Sequence, residues 1–209
     1  MSLTGFSCLL SFIFYRKIKG QKSFLVQGKA YHYFDSKLTW YNERAVEIPF
    51  ILEEVRVTEH KNILEIGNVL SHHIYVKHDI LDKYEIANGV TNSDVADFTS
   101  DKKYELIVSI STLEHVGWDE KIRDDMKIIR ALENLKNHGK RIVVTLPLGY
   151  NPNLDMLLRK GTITFSERIC LLRVSKGNSW KQVLWDDIQN AKYNEPLPFA
   201  NGLLIGIIH

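Results

Sequence analysis

Residues 104–115 read Tyr-Glu-Leu-Ile-Val-Ser-Ile-Ser-Thr-Leu-Glu-His, and the change of character inside that stretch decides the fold. The first seven residues are almost continuously apolar, as a strand buried on both faces of a parallel sheet must be. Ser111, Thr112, Glu114 and His115 then crowd together at its carboxyl end. Two similar runs flank it: residues 62–67 (Asn-Ile-Leu-Glu-Ile-Gly) upstream, and residues 141–146 (Arg-Ile-Val-Val-Thr-Leu), stopped by Pro147, downstream.

Segments of other periods fill the gaps. Residues 124–135 place Ile128, Ile129, Leu132 and Leu135 on one helical face, and Gly139 supplies a stop. Pro152 opens a short helix through Leu154, Leu157 and Leu158. Residues 75–84 and 90–98 read as further strands, with Asp82 and Asp97 near their ends, and residues 167–174 and 203–208 as late strands. Asn42 caps a helix carrying Ala45, Val46, Phe50, Ile51 and Val55, with Pro49 either kinking it or opening a second one. Strands alternating with helices imply an α/β fold whose sheet is mostly parallel and covered by helices on both faces. Such a sheet binds ligands beyond the carboxyl ends of its strands, where strand order reverses.

The 209 residues suit one domain with additions, expected as an apolar helix and irregular lead-in over residues 1–39 and an α/β domain over residues 40–209. A net charge of +2 gives no basic surface for nucleic acid. Cys8 and Cys170 lie far apart and form no CxxC pair, so neither a disulfide framework nor a zinc ribbon is expected, and a reducing, cytoplasmic compartment is. Residues 6–15 are strongly apolar and followed by Arg16, Lys17 and Lys19. The run is too short to span a bilayer, so it reads as a packing helix. Membrane contact through residues 6–17, with Arg16 and Lys17 at the headgroups, is the less favoured reading.

Several residues after strands could carry chemistry. Gly67 lets the backbone approach a ligand closely, or is a plain turn glycine. Asp82 can accept both hydroxyls of a ribose, or is a solvated loop aspartate. Asp97 could accept an adenine amino group while Phe98 packs on the base, or Asp97 is a turn former. His115 is a candidate general base, or with Glu114 merely orders the loop. Tyr150, after the third long strand, could touch substrate, although its glycine and proline neighbours suit a rigid turn. His72, His73 and His78 lie near Asp79 and Asp82, but their spacing matches no metal-ligand pattern and no metal is expected.

Residues 104–120 (YELIVSISTLEHVGWDE), 135–147 (LKNHGKRIVVTLP) and 62–67 (NILEIG) together resemble the fourth strand, fifth strand and first motif of class I S-adenosylmethionine-dependent methyltransferases. The resemblance spans residues 61–148. It implies a Rossmann-like methyltransferase fold with a sheet of the seven-stranded type, and S-adenosyl-L-methionine as cofactor. It implies that Glu65, Gly67 and Asn68 meet the methionine end, Asp82 the ribose, and Asp97 with Phe98 the adenine. Ser111, Leu113 and Glu114 would line the floor. The implied function is methyl transfer to a small-molecule or sugar acceptor. After Gly67 the chain runs Asn68-Val69-Leu70-Ser71, where the family carries further glycines, and the space before the next strand is short. A catalytically inactive, methyltransferase-like interaction domain is therefore the second reading. A nicotinamide-dependent oxidoreductase is disfavoured because GxGxxG is absent.

Overall fold

The computed structural model describes residues 3–18, 20–58 and 61–209, so Lys19 of the basic run lies outside the described residues. In chain order the elements are α1 (Leu3–Ile13), β1 (Ser23–Val26), β2 (Lys29–His32), α2 (Arg44–Val57), β3 (Ile63–Ile66), β4 (Asp79–Leu81) and β5 (Val90–Thr91). There follow β6 (Leu106–Ile110), α3 (Lys127–His138), β7 (Ile142–Pro147), α4 (Pro152–Arg159), β8 (Glu167–Arg173), β9 (Trp180–Val183), α5 (Trp185–Ile188) and β10 (Gly202–Ile208).

Eight strands form one sheet in the order β5-β4-β3-β6-β7-β10-β8-β9, the expected seven-stranded type with β9 added at an edge. β5, β4, β3, β6 and β7 run parallel, with Ile66 opposite Leu81 on one side and Ser109 on the other. β10 runs the other way. Just after β7, the Leu148 amide donates to the Gly202 carbonyl that opens β10 (3.0 Å), and just before β7, Arg141 reaches His209 just after β10 (3.1 Å). From β3 the chain steps outward to β4 and β5, then returns to β6 on the opposite flank, so strand order reverses between β3 and β6. Every residue of β3, β6 and β7 is buried, which is why these segments read as continuous apolar runs.

Two expected strands are shorter than their apolar residues suggest. The 75–84 segment pairs only over Asp79–Leu81, and the 90–98 segment only over Val90–Thr91. Beyond Thr91 the chain turns at Asp94, whose Oδ1 accepts the Ala96 amide (3.0 Å) while its carbonyl accepts the Asp97 amide (3.1 Å). The crossover between β3 and β4, residues 67–78, holds a 3₁₀ turn at Leu70–His72 and no α-helix.

The chain divides into two compact units. One comprises Met1–Phe50, Pro147–Tyr150 and Ile169–Leu204; the other Ile51–Leu146, Asn151–Arg168 and Ile205–His209. In the first, the expected irregular lead-in contains an antiparallel hairpin, β1 with β2, turned at Gln27 and Gly28, both at positive φ. A π-helical turn, Phe14–Ile18, follows α1 and buries Arg16. Its guanidinium donates to the carbonyls of Gln21 and Asn178 (both 2.9 Å) and lies 3.4 Å from the centre of the Tyr33 ring. Arg16 is thus an interior packing residue, which corrects its placement at lipid headgroups. No described helix is long and apolar enough to cross a membrane. Pro49 neither ends α2 nor starts a second helix. The carbonyl it leaves without a helical partner, that of Ala45, accepts the Phe34 amide instead (3.0 Å).

Candidate functional site

A cavity of about 280 Å³ opens in the second unit at the carboxyl ends of β3, β4, β5 and β6, where strand order reverses. Each strand hands it the residues that follow: Gly67 to Val69 after β3, Asp82 to Glu85 after β4, Ser93 to Val95 beyond β5, and Thr112, His115, Val116 and Glu120 after β6. Of the residues nominated from sequence, Gly67, Asn68, Asp82 and His115 line it together.

Gly67 has φ +83°, in the left-handed region, and a Cβ there would run into the Thr112 side chain, with Cγ2 only 2.8 Å away. The glycine therefore serves both the turn and the close approach of the β3 and β6 loops. The next amides have protein acceptors. Those of Val69 (2.9 Å) and Leu70 (2.8 Å) donate to Glu65 Oε1, while Glu65 Oε2 meets His78 Nε2 (2.7 Å). Glu65 is fully buried beneath the loop and is not among the cavity-lining residues. Asn68 donates its side-chain amide to Glu85 (2.6 Å) and its backbone amide, at 3.3 Å, to Asp82 Oδ2.

Asp82 Oδ1 accepts the amides of Tyr84 and Glu85 (both 2.8 Å), which folds the chain back after β4. Among the described residues its Oδ2 has the long contact to Asn68 alone, which leaves most of its acceptor capacity unused. The acidic residue that faces the cavity from beyond β5 is Asp94, with Val95 beside it. Asp97 is exposed and Phe98 is buried against His138 (5.4 Å between ring centres); neither is among the lining residues. The pairing ends at Thr91 and the chain turns at Asp94, so Asp94 and Val95, and not Asp97 and Phe98, line the cavity from beyond β5.

Asp94 belongs to a four-charge cluster that no sequence pattern indicated. Lys83 reaches Asp94 (2.8 Å) and Glu120 (3.1 Å), and Lys127 of α3 binds the same two carboxylates. Burial works to raise the Asp94 carboxyl, but hydrogen bonds from Lys127 and Lys83 outweigh it and hold its pKa down to about 2. Glu120 is lowered in the same way, burial opposing the two ammoniums. Burial pulls Lys83 down and hydrogen bonds to Asp94 and Glu120 overcome it, so its pKa is raised.

His115 ends a 3₁₀ turn after β6, its Nδ1 against Asp119 and its Nε2 3.6 Å from Glu114 Oε1. The imidazole thus lies between two carboxyl groups, Asp119 on the Nδ1 side and Glu114 on the Nε2 side. Ser111, Leu113 and Glu114 are buried behind the lining. Ser111 has φ +38° and its amide donates to Thr145 (3.1 Å to the carbonyl and to the hydroxyl). Tyr150 belongs to the other unit, where its ring meets Tyr193 edge-on. His72 pairs with Glu85 and His78 with Glu65, and no metal-holding cluster occurs among the described residues.

No protein-family model matches the chain, and no curated protein matches it. Solved structures resemble it at low identity. N-methyltransferase NodS from Bradyrhizobium japonicum WM9 in complex with S-adenosyl-L-homocysteine is 12% identical, with a TM-score of 0.48 over 79% of this chain and 85% of that one. Streptomyces venezuelae DesVI is 14% identical, at 0.41 over 78% and 91%. Glycopeptide N-methyltransferase MtfA, complexed with the same product, is 10% identical, at 0.40 over 75% and 87%.

Proposed function

We propose that the chain binds S-adenosyl-L-methionine in this cavity and transfers its methyl group to a small-molecule or sugar acceptor. The observation that carries the reading is the convergence of Gly67, Asp82 and Asp94 on one cavity at the reversal of strand order. The residues present fit the group. Asp82 Oδ2 suits a ribose hydroxyl, and Asp94 with Val95 suits the base. The bound cofactor would supply an electrophilic methyl on a sulfonium. The protein's own part is then to position the acceptor and exclude water from it. His115 lines the cavity, which supports it as the base that takes a proton from a hydroxyl or amine acceptor. The small net charge disfavours nucleic acid as that acceptor. The buried thiols of Cys8 and Cys170 accord with a reducing compartment such as the cytoplasm.

Calorimetry with S-adenosylmethionine tests the reading. Asp82→Asn keeps an oxygen for the Tyr84 and Glu85 amides while removing the ligand-facing charge, so it should weaken binding about tenfold, the loss of one charge-assisted hydrogen bond. Absence of heat from the wild-type protein at millimolar ligand would refute methyl transfer and leave the interaction domain as the better reading.

A further inference from the structure

Lys83 is the residue directly after Asp82, and its side chain lines the cavity. Its ammonium reaches Asp94 beyond β5 (2.8 Å) and Glu120 beyond β6 (3.1 Å), so one side chain ties together the loops of three strands. Lys127 holds the same carboxylates from α3 without being among the lining residues, and its side chain is 11% exposed against 35% for Lys83. The two lysines thus have different positions: Lys127 is a fixed counter-charge behind the wall, and Lys83 lies on a flexible stem inside the cavity. Both ammoniums converge on Asp94 Oδ2, while Oδ1 accepts the Ala96 amide. Oδ2 is therefore fully engaged, and Oδ1 in part.

We propose that Lys83 determines specificity at the base end of the cavity by competing with the ligand for Asp94. This rests on the nucleoside-binding reading above. An amino-bearing base donates to Asp94 Oδ2 only as the Lys83 ammonium swings out to solvent, so binding is an exchange and not an addition. Lys127 stays and keeps the two carboxylates partly neutralised. The exchange favours a base that offers a donor edge and rejects one that offers only acceptors. Because an ion pair is lost, binding strengthens as salt screens that pair.

The test uses adenosine, which carries no charged group at neutral pH, so salt acts on the protein and not on the probe. Calorimetry compares the full chain at ~10 mM and ~150 mM salt, over which the Debye length falls from about 30 Å to about 8 Å. Wild-type affinity should rise several-fold with salt. Lys83→Met should bind about five-fold tighter at low salt, the worth of a half-exposed ion pair, and should respond little to salt. Lys83→Arg should behave as wild type. Equal or weaker binding by Lys83→Met, or wild-type affinity that falls with salt, overturns the exchange while the nucleoside site stands. If wild type and a cooperatively folded Lys83→Met both give no heat, the nucleoside reading fails and the exchange with it. Should Lys83→Met not fold, the wild-type salt series decides alone.

Discussion

Glu65→Ala should be among the most destabilising single substitutions in the β3 region, and should be so without any ligand. The side chain is fully buried and serves three partners: the Val69 amide (2.9 Å), the Leu70 amide (2.8 Å) and His78 Nε2 (2.7 Å). Leu70 is fully buried and the His78 side chain is 7% exposed, so water cannot replace the carboxylate at either. Each buried polar group left without a partner costs about 1–3 kcal/mol. Val69 is half-buried and its amide regains part of its hydrogen bonding from water. The sum is about 4 kcal/mol, a large share of the ~5–15 kcal/mol that holds an ordinary domain together. Glu65→Gln keeps Oε1 for both amides and disturbs only the His78 contact, for about 1 kcal/mol. Urea unfolding followed by circular dichroism gives the comparison, with unchanged m-values showing that only stability has moved. If Ala and Gln destabilise equally, or if Ala costs under ~1 kcal/mol, the loop is not held from beneath by this carboxylate.

Arg16→Met should cost about 3 kcal/mol in lipid-free buffer, because the Gln21 and Asn178 carbonyls lose a buried donor and the Tyr33 ring loses its cation. A thermal midpoint equal to wild type would instead return this residue to the surface. Acid should loosen the charge cluster. Asp94 and Glu120 have folded-state pKa values below their unfolded ones, about 3.9 and 4.3, so their contribution is complete above pH ~4.5 and lost as pH falls toward 2. Lys127→Met should therefore cost about 2 kcal/mol at neutral pH and flatten the loss of stability between pH ~4.5 and ~2; an unchanged slope in that window refutes the assignment. Adenosine alone should retain most of the affinity of S-adenosylhomocysteine, since the loop amides that would meet the amino-acid end already have acceptors. A loss of more than about a hundredfold on removing that end would show that those amides are available to ligands after all.

What the sequence made legible follows from how locally each feature is encoded. β3, β6 and β7 are buried on both faces, so their apolar runs are unbroken, and Gly67 and Asp82 were found by following two of the strands to their ends. The turn at Asp94 is not legible in the sequence because Val95 and Phe98 look like the inward positions of a longer strand. They are buried for another reason. The Asn134 side chain on α3 donates to the carbonyls of both (2.9 and 2.8 Å), stitching a turn onto the helix. Strand length here is limited by the partner, β4, which is three residues long. The β1–β2 hairpin escaped notice because only Phe24 and Val26 of its eight strand residues are buried. Edge strand β9 escaped because Lys181 and Gln182 break its apolar pattern. The charge cluster joins positions 83, 94 and 120, which follow three different strands, with 127 on α3, so only the fold could bring the four together.

The loop after β3 and the cluster beyond β5 share one feature: groups suited to a ligand are already bound to the protein. They differ in how costly they are to release. Freeing the Val69 and Leu70 amides means withdrawing a fully buried carboxylate from three partners, at two of which, Leu70 and His78, water cannot take its place. Freeing Asp94 means only that the half-exposed Lys83 turns outward, where water solvates its ammonium, while Lys127 remains as counter-charge. A ligand that anchors through its ribose and base thus meets a small exchange cost, and one that depends on the glycine-loop amides meets a large one. The sequence after Gly67 and the Glu65 staple accord with each other: a loop pinned from below has no need of the conformational freedom that further glycines would confer.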